Sequence, residues 1–194
     1  MVKSHILVMD ELKDYASPKA RLTRLLKSGR LIQLRRGLFT DNVDVSKRVI
    51  ASALYGPSYI SFEYALAASG LIPERVSTLS SASFNKGKGK VFRTPLGEFR
   101  YHDIPATAYP YGITMEKENG SSYIIAAAEK ALCDMVYKVP DIISIKDMNN
   151  LLLENWRIDM EALLLLDAEF IRWIAPLYRR RPVIALSSWF TKKV

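Results

Sequence analysis

The hydrophobic pattern between Pro18 and Thr40 changes period at Gly29, and that change limits what the N-terminal end of this chain can fold into. Before the glycine, Leu22, Leu25 and Leu26 recur at helical spacing and line one stripe. Arg21, Arg24 and Lys27 recur every three residues and fall on another side of the same helix. Ser17–Pro18 supplies a cap and a first-turn proline, so the helix starts there. After the glycine, Leu31–Ile32–Gln33–Leu34 and Leu38–Phe39–Thr40 read as two short strands joined across Arg35–Arg36–Gly37. Upstream, residues 4–15 place Ile6, Leu7, Met9, Leu12 and Tyr15 at helix-like intervals, with a short turn at Ala16–Ser17. Two helices, a short turn and a tight hairpin predict a winged helix-turn-helix over residues 1–42. Only three residues precede Ser4, so either this unit is abbreviated or a helix starting near Val45 completes its core.

Charge follows the same division. Residues 18–40 contain Lys19, Arg21, Arg24, Lys27, Arg30, Arg35 and Arg36 and no carboxylate. A solvated helix face normally mixes both signs, so this stretch suits a polyanion, with the helix in a DNA groove and the arginine tip on phosphate. Residues 1–40 hold nine basic against three acidic side chains, which is +6 of the chain's net +8. A basic end on a nearly neutral body suggests a nucleic-acid module attached to something else.

The rest of the chain, residues 43–194, is expected to be a mixed α/β unit with a short antiparallel sheet and a helical C-terminus, making the whole an α+β protein. Asp44 to Gly56 reads as a helix and Phe62 to Ser69 as another, capped by Gly70. Strands are expected at Val76–Ser83, Lys90–Arg93, Gly97–His102, Tyr111–Glu116 and Ser121–Ile124, with turns at Thr94–Gly97 and Glu118–Ser121. Ala126–Lys138 is an apolar helix. Helical patterns at Lys146–Asn155, Asp159–Asp167, Ala168–Leu177 and Pro182–Thr191 follow, and the all-apolar run Ala162–Leu166 predicts a seam buried in a small bundle.

The chemical content elsewhere is thin. Cys133, the single cysteine, lies in an apolar helical pattern and reads as a packed core thiol in a reducing compartment. No signal-peptide pattern or membrane-spanning run occurs, so a cytoplasmic location is expected. His5 and His102 have no partner at metal-ligand spacing, and neither metal nor cofactor is expected. His102–Asp103 could form an acid–base pair. Glu129, Lys130 and Asp134 lie on adjacent helical turns and suit an ion-pair network or an interdomain contact. Lys86-Gly-Lys-Gly-Lys90 lacks the spacing of a phosphate-binding loop and reads as a mobile basic connection, and Arg179–Arg181 as a solvated helix end or, alternatively, an auxiliary DNA or RNA contact.

Three segments together carry a family resemblance. They are Arg35-Arg36-Gly37-Leu38-Phe39; Tyr59-Ile60-Ser61-Phe62-Glu63-Tyr64-Ala65-Leu66 with Gly70-Leu71-Ile72-Pro73; and Glu129-Lys130-Ala131-Leu132-Cys133-Asp134. Over roughly residues 8–140 the chain resembles the AbiEi family of antitoxins and transcriptional regulators from bacterial abortive-infection toxin–antitoxin systems. The resemblance implies a non-enzymatic protein whose winged helix binds double-stranded operator DNA and represses its own operon. It also implies a second domain that counteracts a nucleotidyltransferase-like toxin, with a homodimer or cooperative binding on inverted repeats. By the same resemblance Lys19, Arg21, Arg24 and Lys27 face DNA, with Arg21 or Arg24 reading bases, and Arg35 and Arg36 are wing contacts. Two other classes stay open: an enzyme-type antitoxin using His102, Asp103, Glu129 or Asp134, and a protein–protein adaptor that does not bind DNA.

Overall fold

The computed structural model describes residues 1–74, 76–140, 142 and 144–193. Its N-terminal elements are β1 (Val2–Ser4), α1 (His5–Glu11), α2 (Pro18–Lys27), β2 (Ile32–Arg35) and β3 (Leu38–Thr40). The three strands form an antiparallel sheet in the order β1-β3-β2. Strand β1 was not expected. It converts to helix within one residue because the Ser4 hydroxyl accepts the Leu7 N–H at 3.3 Å, capping α1. Lys3 is held at 2.8 Å by both Asp41 and Glu11, which raise its pKa, while the Lys3 ammonium lowers that of Asp41.

Period-two alternation puts the hairpin between two cores. Leu31 and Phe39 join Val8 and Leu12 in a small cluster covered by Leu22, Leu25 and Leu26. Leu34 and Leu38 belong to the large core, in one cluster with Ile50, Ala51 and Leu54 of α3 (Lys47–Leu54). The helix near Val45 therefore packs against the inner face of the hairpin. It begins at Lys47, where Ser46 accepts the Arg48 N–H at 3.2 Å.

The body is built on six strands: β4 (Ser58–Ile60), β5 (Leu79–Phe84), β6 (Lys90–Thr94), β7 (Gly97–Ile104), β8 (Ile113–Glu118) and β9 (Ser121–Ala126), in the order β6-β7-β5-β4-β9-β8. The hairpins β6–β7 and β8–β9 are antiparallel, as their turn residues predict. The sheet is nevertheless wider than expected and mixed, because β5 pairs parallel with β7 and β4 with β9. Turn chemistry specifies only neighbours in sequence. The parallel partners are set by burial: Leu79–Ser83 are all buried, as strands inside a mixed sheet require. Strand β8 starts at Ile113 and not at Tyr111, since Gly112 adopts φ +66.

Helices α4 (Phe62–Ala68) and α5 (Ala128–Tyr137) pack together. After them come α6 (Ile145–Asn149) with a π turn over Asn150–Asn155, α7 (Met160–Leu164), α8 (Ala168–Ile174) with a 3-10 turn over Ala175–Tyr178, and α9 (Arg181–Lys193). The Ala162–Leu166 seam is not buried throughout. Leu163 is fully enclosed, but Leu165 is 87% exposed, because the helix ends at Leu164 and Leu165 is its C-cap. Among the described residues no helix is long and apolar enough to cross a membrane.

The Tyr59 and Glu129 segments meet inside this core. Asp134 accepts the hydroxyls of Tyr59 at 2.9 Å and Ser61 at 2.6 Å through one oxygen. Its other oxygen takes the Lys130 ammonium at 2.9 Å and the Tyr178 hydroxyl at 2.5 Å. Burial, then the Asp134 charge, pushes both phenols well above their ordinary pKa. Lys130 Nζ also sits over the Tyr178 ring at 4.6 Å.

Candidate nucleic-acid interface

Helix α2 starts at Pro18 and ends where Gly29, at φ +70, lets the Leu31 N–H return to the Leu25 carbonyl at 3.2 Å. The leucine stripe faces the small core, and what remains outward is basic. Lys19, Arg24, Lys27 and Arg30 are exposed. Arg24 and Lys27 lie in the last turn, where the helix dipole favours cations. Arg21 differs from them: it is half-buried, its guanidinium stacks 4.9 Å above the Tyr15 ring, and its Nε is enclosed without a partner.

Gly37, at φ +80, closes the hairpin and leaves Arg35 and Arg36 exposed at its tip. The register shifts between Gln33 and Arg35, and the Gln33 amide donates to the Arg35 carbonyl at 3.3 Å across the irregularity. The two arginines are not equivalent. Arg35 donates to the Arg36 carbonyl at 3.4 Å and lies close enough to Tyr101 for its charge to oppose the upward push that burial gives that phenol. Arg36 stands at the free end.

Neighbouring carboxylates do not neutralise this face. Asp10 pairs with Lys13 at 3.2 Å, while Glu11 and Asp41 are committed to Lys3. Among the described residues none of the seven cations makes an ion pair, so the surface presents uncompensated positive charge. Sequence reasoning missed how far the charge extends. Strand β2 contacts edge strand β6, which carries Lys90; Arg93 of the same strand is paired with Glu98 at 3.1 Å, and Lys86 and Lys90 both sit over the Tyr55 ring, at 5.1 and 5.4 Å. The basic run Lys86–Lys90 was legible in the chain, but its neighbour in space was not.

The other candidate residues have structural partners. Asp103 accepts the backbone N–H groups of Lys86 at 2.9 Å and Gly87 at 2.8 Å, so the basic connection expected to be mobile is anchored at its start. His102 lies edge-on to Phe62, with ring centroids 5.0 Å apart. Burial, with help from Lys138, lowers its pKa to about 4, so it is neutral near pH 7. His102 and Asp103 line a cavity of about 450 Å³ that also holds Lys88, Tyr137 and Lys138. Glu129 accepts the Asp167 N–H at 3.1 Å at the start of α8, and Asp134 is enclosed with Lys130. Cys133 is fully buried, which pushes its thiol pKa up. Among the described residues no group of three or more His, Cys, Asp or Glu side chains is placed to hold a metal ion.

No protein-family model matches the sequence, and no curated protein is significantly similar to it. What the basic surface can do follows from its own shape and charge.

Proposed function

We propose that this chain is a DNA-binding antitoxin of the abortive-infection type, acting in the cytoplasm. In this reading β1–β3 with α1 and α2 form a winged helix that binds operator DNA and represses its own operon, and the remaining domain counteracts a nucleotidyltransferase-like toxin. The observation that carries it is the uncompensated cationic face of α2 and the hairpin tip, Lys19, Arg24, Lys27, Arg30 and Arg36.

Ten residues make α2 about 15 Å long, enough to lie across a major groove. Arg24 is the base reader in this arrangement, because Arg21 is engaged by Tyr15. Lys19, Lys27, Arg30, Arg35 and Arg36 neutralise phosphate and set the register. One such module buries only about 600–1,000 Å² on DNA, so the operator takes two copies on an inverted repeat, through a homodimer or cooperative neighbours. The antitoxin half of the reading rests on the three sequence segments that resemble AbiEi.

The test is binding to the DNA upstream of its own gene across a salt series. Three to five neutralised phosphates give a log–log slope of roughly −3 to −4.5. No preference over random duplex at low salt would sink the operator reading.

A further inference from the structure

The junction between Tyr178 and α9 carries Arg179, Arg180 and Arg181 in succession, all exposed. Arg179 adopts φ +51, so the chain turns sharply before the helix begins. The three arginines rim a groove of about 440 Å³ against α6 and α9, together with Ile145, Ile184 and Ser188. Arg181, Ile184 and Ser188 follow one another along a single face of α9, and Ile184 is 42% exposed.

Among the described residues the electrostatics of this place are unfavourable. A helix N-terminus is its positive pole, and the first turn of α9 carries no acidic residue. Three guanidiniums gathered there repel one another and the dipole. Among the described residues none of them has an ion-pair partner, and Arg180 only stacks over Tyr137, at 5.6 Å. An anionic partner relieves that repulsion, and guanidinium pairs carboxylate with two parallel hydrogen bonds. The apolar floor decides which anion. A phosphodiester backbone offers nothing to Ile145 and Ile184, whereas a segment with carboxylates beside aliphatic side chains matches both parts of the groove.

We propose that this groove docks an acidic amphipathic segment of a partner protein, its carboxylates on Arg179–Arg181 and its aliphatic side chains against Ile145 and Ile184. The inference takes up the partner-protein half of the reading above and rests on it. Its test is separate from DNA binding.

The probe is a dye-labelled amphipathic peptide of Glu and Leu, titrated by fluorescence anisotropy. The protein is the full chain carrying Arg35→Ala and Arg36→Ala, so that the hairpin tip does not compete. Binding is expected to saturate and to weaken by about tenfold or more with Arg180→Ala/Arg181→Ala and with Ile184→Asp. Hydrogen exchange should slow along residues 184–188 when the peptide is bound. All substituted side chains are exposed, and matching thermal melts establish that the variants fold; if one does not, the exchange pattern of the parent decides. Absence of binding, or binding indifferent to these substitutions, overturns the proposal. So does equal affinity for an all-Glu peptide, or a preference of the groove for duplex DNA. A failure here leaves retardation of operator DNA untouched, and a failure there leaves this result standing.

Discussion

Lys130 and Asp134, one turn apart on α5, form an ion pair at 2.9 Å with both side chains at 0% exposure. Removing two charges from water is costly, and the hydroxyls of Tyr59, Ser61 and Tyr178 offset that cost by filling the remaining carboxylate positions. Breaking the pair is therefore worse than deleting it. Lys130→Met should destabilise the chain by about 3–5 kcal/mol, because it strands a buried carboxylate. Lys130→Met with Asp134→Leu should recover much of that loss. Urea denaturation of the two variants measures the difference, and a double variant no better than the single one would show that the hydroxyls, not the charges, dominate.

On DNA the arginines should divide by role. Arg24→Ala is expected to cost about 1–3 kcal/mol on the operator and to narrow its margin over random duplex. Arg35→Ala/Arg36→Ala should weaken operator and random duplex alike and make the salt slope shallower by about 1–2. Retardation assays at several salt concentrations separate the two. An unchanged slope in the double variant places the hairpin tip off the phosphates.

His102 imposes a pH dependence on stability. Its folded pKa of about 4 lies below the ordinary 6.5, so the unfolded chain binds the proton more readily between those values. The stability it supports is fully present above pH 6.5 and is lost as the pH falls towards about 4. The groups facing it are the cations Lys138 and Arg100, which add to the effect of burial, and Glu63, which opposes it. His102→Gln should flatten the acid side of a plot of denaturation midpoint against pH. A wild-type curve already flat there would contradict this environment.

Two glycines with positive φ should respond differently to alanine. At Gly112 a Cβ would lie 2.6 Å from Phe170 Cζ and 2.9 Å from Lys130 Cβ, at φ +66. Gly112→Ala should therefore cost roughly 2 kcal/mol or more, from backbone strain and overpacking together. At Gly37 a Cβ meets nothing within 4 Å, so Gly37→Ala carries the backbone cost alone, about 1 kcal/mol. Thermal melts side by side test the ranking, and equal losses would mean that the Phe170 ring gives way.

Local order was legible in the sequence of this chain because local forces produce it. The stop at Gly29, the helix start at Pro18, the hairpin around Gly37 and the strands flanking Glu118–Ser121 all follow from propensity and turn chemistry within a few residues, although the Ser17 side chain expected to cap α2 makes no capping hydrogen bond. The apolar helical pattern of Ala126–Lys138 likewise placed Cys133 in the core. Which strands pair in parallel, what packs against the inner face of the hairpin and which carboxylate meets which cation depend on groups far apart in the chain. Strand β1 has too few residues to announce itself and exists because β3 offers it an edge. Asp134 is one acidic residue among many until Tyr59, Ser61 and Tyr178 converge on it. The sequence by itself determined the basic face of α2, since charge and helical period are local properties. Only the tertiary structure decided that Arg21 leans on Tyr15, that β6 with Lys90 packs beside the hairpin, and that Arg179–Arg181 rim a groove, because burial and desolvation arise only when distant segments pack.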